Sequence, residues 1–172
     1  MTRTTFMAMA ASAATFALVA CGSLPPDNRI GVVAPDRAEF APVAQVLDHR
    51  CGSLDCHGNA QRNLVIYGCE GLRFGDAGVP GCRKTGGTDT TAEELDATYR
   101  SVVGLEPVVM STVVVGKGAH PELLTIVRKA RGDESHKGGA LFVPGDAQDN
   151  CFASWLTGTT DKSACAEALK AP

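Results

Sequence analysis

The sequence predicts a small, mainly α-helical domain with long loops, stapled by disulfides. Three observations carry this prediction. Apolar residues recur at helical spacing in several short segments, and capping residues bracket them. Aromatic residues are only 5% of 172, while glycine numbers 19, so side chains alone build a thin core. Seven cysteines supply the covalent ties that such a core calls for. The length fits one domain. Hydrophobic residues at 44% and charged residues at 20% place the chain among folded proteins. With 16 basic against 19 acidic residues, the net charge of -3 leaves no electrostatic footprint for nucleic acid.

The odd cysteine is accounted for at the N terminus. Arg3 stands in an acid-free start, and Phe6 to Ala20 is a run of apolar and small residues. That run has the length of a signal-peptide core and is too short to span a bilayer as a helix of ~20 residues. It ends Leu18-Val19-Ala20-Cys21, which resembles the lipobox of bacterial lipoproteins. The resemblance implies cleavage of residues 1–20 and acylation of Cys21, hence an anchor in a lipid membrane. Gly22-Ser23, with no aspartate, resembles an outer-membrane sorting signal. The expected location is therefore the bacterial cell envelope, lipid-anchored at the outer membrane and facing the periplasm or the cell surface. Residues 21–38, rich in Pro, Asp, Asn and Gly, are expected to be a flexible tether to a domain of residues 39–172.

Within that domain, Pro42 suits a first helical turn, and Phe40, Val43, Ala44 and Leu47 share one face, predicting a helix over 42–50. Residues 57–90 read as a long loop with one apolar stretch, Leu64 to Tyr67. A loop of that length calls for a function or a staple. Thr91 and Glu94 fit a capping box, followed by an apolar face of Leu95, Tyr99, Val102 and Val103, with Gly104 as the stop. Val108 to Val115 is β-branched and reads as a strand or a buried turn. Pro121 to Arg131 is predicted helical, with Leu123, Leu124 and Val127 inward and Gly132 as its end. Asp149 or Asn150 is expected to cap a helix through Phe152, Trp155 and Leu156, stopped by Gly158. Asp161 opens a terminal helix that carries Cys165.

The segment Cys51-Gly-Ser-Leu-Asp-Cys56-His57 carries the chemistry. Two cysteines followed directly by histidine form the covalent attachment pattern of c-type haem. Each thiol adds to one vinyl group, and the adjacent imidazole then reaches the iron. The spacer is four residues where two is usual, a variant known within multihaem cytochromes. With Gly58 and the preceding helix, the segment resembles the start of a cytochrome c domain. In that family this helix packs against a C-terminal helix, here the one predicted at 149–158. Leu123-Leu124, Arg128-Lys129-Ala130, His136-Lys137-Gly138-Gly139, Gly145-Asp146 and Trp155-Leu156 resemble the cytochrome c-like domains of secreted planctomycete and myxobacterial proteins.

These resemblances imply a cytochrome c-like helical domain with haem c (iron) on Cys51 and Cys56, and His57 as the proximal axial ligand. Two other readings of the segment stand beside it. Cys51 and Cys56 can close a small disulfide loop. They can also join His57 and one more ligand on zinc, although no second metal-ligand pair completes that set. With haem on the first pair, the remaining four cysteines allow three pairings, and local pairing gives Cys69–Cys82 and Cys151–Cys165. Each would close a loop worth roughly 3 kcal/mol in the chain-entropy account.

The distal position has His136, in a glycine-rich turn, as first candidate and Met110 as alternative. An open position is the third option. His120 ranks behind these, and His49 stands too close to Cys51. The function implied is extracytoplasmic electron transfer with a redox protein as partner. A disulfide-stapled envelope lipoprotein without haem, with a binding or structural role, is the alternative. The acids are scattered without convincing pairing, so an electron carrier is expected rather than an enzyme.

Overall fold

Phe40 and Pro42 begin the folded core, and the chain beyond them is built of helices and the loops between them. The computed structural model describes residues 31–75, 81–83 and 86–170. Residues 1–20 and Cys21, where the signal peptide and lipidation are expected, lie outside them. Among the described residues there are six α-helices: α1 Ala41–Cys51, α2 Ala92–Leu105, α3 Pro107–Val115, α4 Thr125–Arg131, α5 Ala147–Thr157 and α6 Lys162–Ala168. A 3₁₀ turn, Pro121–Leu123, precedes α4, and the only bridge among the described residues pairs Tyr67 with Leu72. No described helix is long and apolar enough to cross a membrane.

Helices α1, α5 and α6 pack on one another and make the centre of the domain. α1 turns Val43, Ala44, Val46 and Leu47 inward. The scarce aromatics are concentrated here rather than spread. Trp155, fully buried, has Phe40, Phe152 and Tyr99 around it at centroid distances of 4.8, 5.8 and 6.1 Å. Such tilted and edge-on contacts each add about 0.5–1.5 kcal/mol beyond the area buried. The Cys151–Cys165 disulfide ties α5 to α6, and Cys69–Cys82 staples the 57–90 segment.

The expected tether ends earlier than residue 38. Val33 donates its N–H to Ser111 Oγ at 2.9 Å. The Tyr99 hydroxyl and Trp155 Nε1 each donate, at 2.8 Å, to the carbonyls of Pro35 and Asp36. Side chains 64 to 119 positions away therefore hold this stretch, which its composition does not reveal.

The capping box at α2 forms as expected, with Thr91 and Glu94 bonded reciprocally to backbone N–H groups. Gly104 does not end the helix. Pro107 disfavours helical backbone in the residue before it, so Glu106 at φ -144° makes the break. Val108 to Val115 is neither strand nor buried turn but helix α3. Pro107 opens it, Met110 N–H bonds Glu106 O at 2.8 Å, and Met110 and Val113 fill the core. With no strand among the described residues for it to pair with, β preference gives way to packing.

The single helix expected over 121–131 is broken at Leu124, whose ψ is 128°. Glu106 reaches in to accept from Thr125 N–H and Oγ1 at 2.6 and 2.9 Å, and so starts α4 there. The break turns Leu124 and Val127 inward but leaves Leu123 exposed, contrary to expectation. The cap of α5 is Asp146, not Asp149 or Asn150, and it accepts from Asp149 N–H at 2.7 Å. Asp149 is instead gripped by Arg131 through two bonds of 2.8 and 3.0 Å, which lock α4 to α5. Gly132, Gly158 and Asp161 cap their helices as predicted.

Candidate functional site

Cys51 is the last residue of α1, and the four-residue spacer after it folds as a tight turn. Cys56 N–H and Gly58 N–H both bond Ser53 O, at 2.9 and 3.0 Å. The turn brings His57 back over the helix end. His57 N–H donates to Cys51 O at 3.0 Å, and Ile66 N–H donates to His57 O at 2.8 Å. Arg62 clamps the outside, donating from Nε to Cys56 O at 3.1 Å and from Nη2 to Asp55 O at 3.2 Å. Gly58 and Gly71 are required because a Cβ at either would collide with the Gly52 carbonyl oxygen.

Neither Cys51 nor Cys56 is in a disulfide. Burial, opposed by the Arg50 charge and aided by Cys56, pushes the Cys51 thiol up to about 12. It is therefore a neutral thiol at physiological pH, suited to an apolar wall and poorly suited to metal coordination as thiolate.

His57 and His136 come together although 79 positions separate them, their ring centroids 6.3 Å apart and their planes 21° from parallel. Each ring is oriented by backbone. Nδ1 of His57 bonds Leu64 O at 2.9 Å, and Nδ1 of His136 bonds Gly139 O at 3.2 Å. A carbonyl can only accept, so both Nδ1 atoms carry the hydrogen, and in the neutral ring it is Nε2 that offers a lone pair. Gly138 is part of this arrangement. A Cβ there would stand 2.7 Å from His136 Cε1 and 3.0 Å from Nε2.

The two imidazoles and Cys51 line a cleft of about 400 Å³. Its walls are apolar, with Leu47 from α1, Leu64, Leu105, Ile126 from α4, Leu141 and Phe142. Gln61, Arg62, Asn63 and Lys129 add polar groups to the lining. The volume lies in the ~300–1,000 Å³ range of cofactor and small-molecule pockets. The turn that carries His136 is fixed at its far end, where Leu141 and Phe142 donate to Ala130 O at 2.7 and 2.9 Å.

The other sequence candidates are elsewhere. Met110 is buried in the core on α3 and is not part of the cleft wall, so the apolar run that recommended it serves packing. His120 bonds Glu122 at 3.0 Å, and His49 bonds Glu70 at 3.0 and 3.1 Å. The proposed zinc set is not assembled. Among the described residues the only metal-sized group of three donors is Asp48 with Cys69 and Cys82, whose sulfurs are spent in a disulfide.

Behind the motif sits a charge that sequence reading passed over. Asp48 is nearly buried on α1, boxed in by Gly52 and Gly68, with Oδ1 unpartnered and Oδ2 accepting from Glu70 N–H at 3.2 Å. Burial, aided by the charges of Glu70 and Glu94 against the Glu70 N–H bond and Arg73, raises its carboxyl from 3.8 to about 6. A raised carboxyl gives stability that is complete below 3.8 and lost as pH rises through about 6, a difference of about 3 kcal/mol at most. Asp48→Asn is therefore expected to raise the thermal midpoint at pH 8 and to leave it unchanged at pH 3.5, as measured by calorimetry. An unchanged midpoint at pH 8 would contradict this. An acid at an inward helix position beside Ala44 and Leu47 was the available signal.

Comparison of the chain with protein families, with curated proteins and with solved structures gave no match.

Proposed function

We propose that the chain is a lipid-anchored c-type cytochrome that passes electrons between partners outside the cytoplasm. In this reading Cys51 and Cys56 hold haem c by thioethers, His57 and His136 supply the two axial nitrogens, and Cys21 carries the acyl anchor. The observation that carries it is the pair of imidazoles at the apolar cleft, each with Nδ1–H on a backbone carbonyl. The 6.3 Å between centroids is close to the roughly 6 Å that two rings would have with one nitrogen of each at about 2 Å from a shared ion. Two unpaired cysteines flank the same turn in a chain whose other four described cysteines are paired.

When bound, the iron would supply a one-electron couple, and His57 and His136 would be the residues that hold it. The chain's own residues orient both rings, present apolar walls through Leu64, Ile126 and Phe142, and hold the motif turn through Arg62. With two histidines available to hold the group, the site would suit electron transfer better than substrate chemistry.

The test is expression with a cytochrome c maturation system, followed by intact mass and an optical spectrum. One added haem that survives acid–acetone extraction, with a low-spin spectrum, is expected. A colourless protein with Cys51 bonded to Cys56 would overturn the proposal and favour a stapled lipoprotein without haem.

A further inference from the structure

Helix α3 has a second apolar face that the core does not use. Val108 and Val115 are seven positions apart, which returns them to one side of the helix, and both are exposed. Ser111 lies between them and accepts from Val33 N–H, so exposed Val33 stands beside the same helix, with exposed Val32 next to it in the chain. No charged residue occurs from Pro107 to Val115, and exposed Lys117 comes just after the helix. This patch lies where the chain leads back toward Cys21 and the apolar run Phe6–Ala20. From Cys21 to Val32 the chain reaches at most roughly 40 Å. An anchor at Cys21 would keep the bilayer within this reach of Val32.

We infer that the Val32–Val33 and Val108–Val115 face rests on the lipid surface. Its occupant is the boundary of headgroups and acyl chains, with Lys117 among the headgroups, as interfacial segments with an apolar face and flanking cations behave. The inference shares with the proposed function only the N-terminal anchor and does not depend on haem.

Val143 provides an internal control. It is 65% exposed against 66% for Val115, but it precedes the N terminus of α5. A side chain at Gly118, just past α3, would instead meet Thr157 at the C terminus of α5. The eleven residues of α5, about 16 Å of helix, separate the two ends.

The experiment places a benzophenone amino acid at Val115 or at Val143 in the full chain. The protein is bound to vesicles of phosphatidylethanolamine and phosphatidylglycerol, irradiated and weighed by mass spectrometry. Lipid adducts at Val115 should exceed those at Val143 about tenfold, and Val108→Asp with Val33→Asp should remove most of that excess. Equal labelling at both positions would overturn the inference, as would adducts of twice the chain mass, which would give the face to a second copy. The comparison is repeated with an N-terminal histidine tag on nickel-chelating lipid, so it holds whether or not Cys21 is acylated. The mass of the native chain tests acylation separately.

Discussion

Arg73→Met is expected to destabilise the protein by about 3–5 kcal/mol, the usual cost of stranding one partner of a buried ion pair. Arg73 and Glu94 are almost wholly buried, at 8% and 0% side-chain exposure, and meet through bonds of 2.8 and 3.2 Å. Glu94 also accepts from Thr91 and Phe74 N–H groups, and Arg73 donates to the carbonyls of Thr88 and Asp89. The pair thus fastens the long 57–90 segment to the first turn of α2. Losing it should lower the thermal midpoint by on the order of 10 °C. The double variant Arg73→Met with Glu94→Leu should regain part of this loss, because no buried charge is then left alone.

The pH dependence of that pair has the opposite sign to that of Asp48. Burial alone would raise the Glu94 carboxyl, but the bonds from Arg73, Thr91 and Phe74 outweigh it and hold the group below its ordinary 4.5. A lowered carboxyl gives stability that is complete above 4.5 and lost as pH falls through the folded value. The stability gap between wild type and Glu94→Gln should therefore be largest near pH 7 and close in acid. A gap that persists undiminished in acid would show that shape rather than charge is at stake.

His136→Ala, matured with haem, should keep the covalent haem mass but lose the low-spin spectrum and bind added imidazole. His57→Ala should instead impair maturation itself, because the proposed haem would lose the ligand beside both thiols. Gly138→Ala is the finer probe. Its Cβ would sit 2.7 Å from His136 Cε1 and must move the ring, so a partial high-spin population is expected with folding stability little changed. A low-spin spectrum unaltered in His136→Ala would remove this histidine from the axial position. Met110→Leu would then show no spectral change either, since Met110 is packed inside the core.

Local chemistry was readable from local sequence. The capping box at Thr91, the terminal glycines at 132 and 158 and the Asp161 cap need only neighbours within one turn, and each formed where expected. Val108 to Val115 was unreadable because strand and helix both bury such a run, and the choice fell to whatever packed against it. The break at Leu124 was hidden for the same kind of reason. Its cause, Glu106, lies 19 positions from the Thr125 it caps. Arg62 as a clamp, and the carbonyls of Leu64 and Gly139 as ring holders, left no sequence signal, since a backbone oxygen is present at every position.

The sequence by itself determined a small helical domain and the caps at Thr91, Gly132, Gly158 and Asp161, because these arise from residue spacing over a few turns of chain. Tertiary structure alone decided which histidine meets His57, that Met110 belongs to the core, that Asp48 is confined between glycines, and that Val33 to Asp36 belong to the folded body. Each of these is a contact between distant positions, and such contacts are fixed by the packing of helices around Trp155 rather than by any local preference.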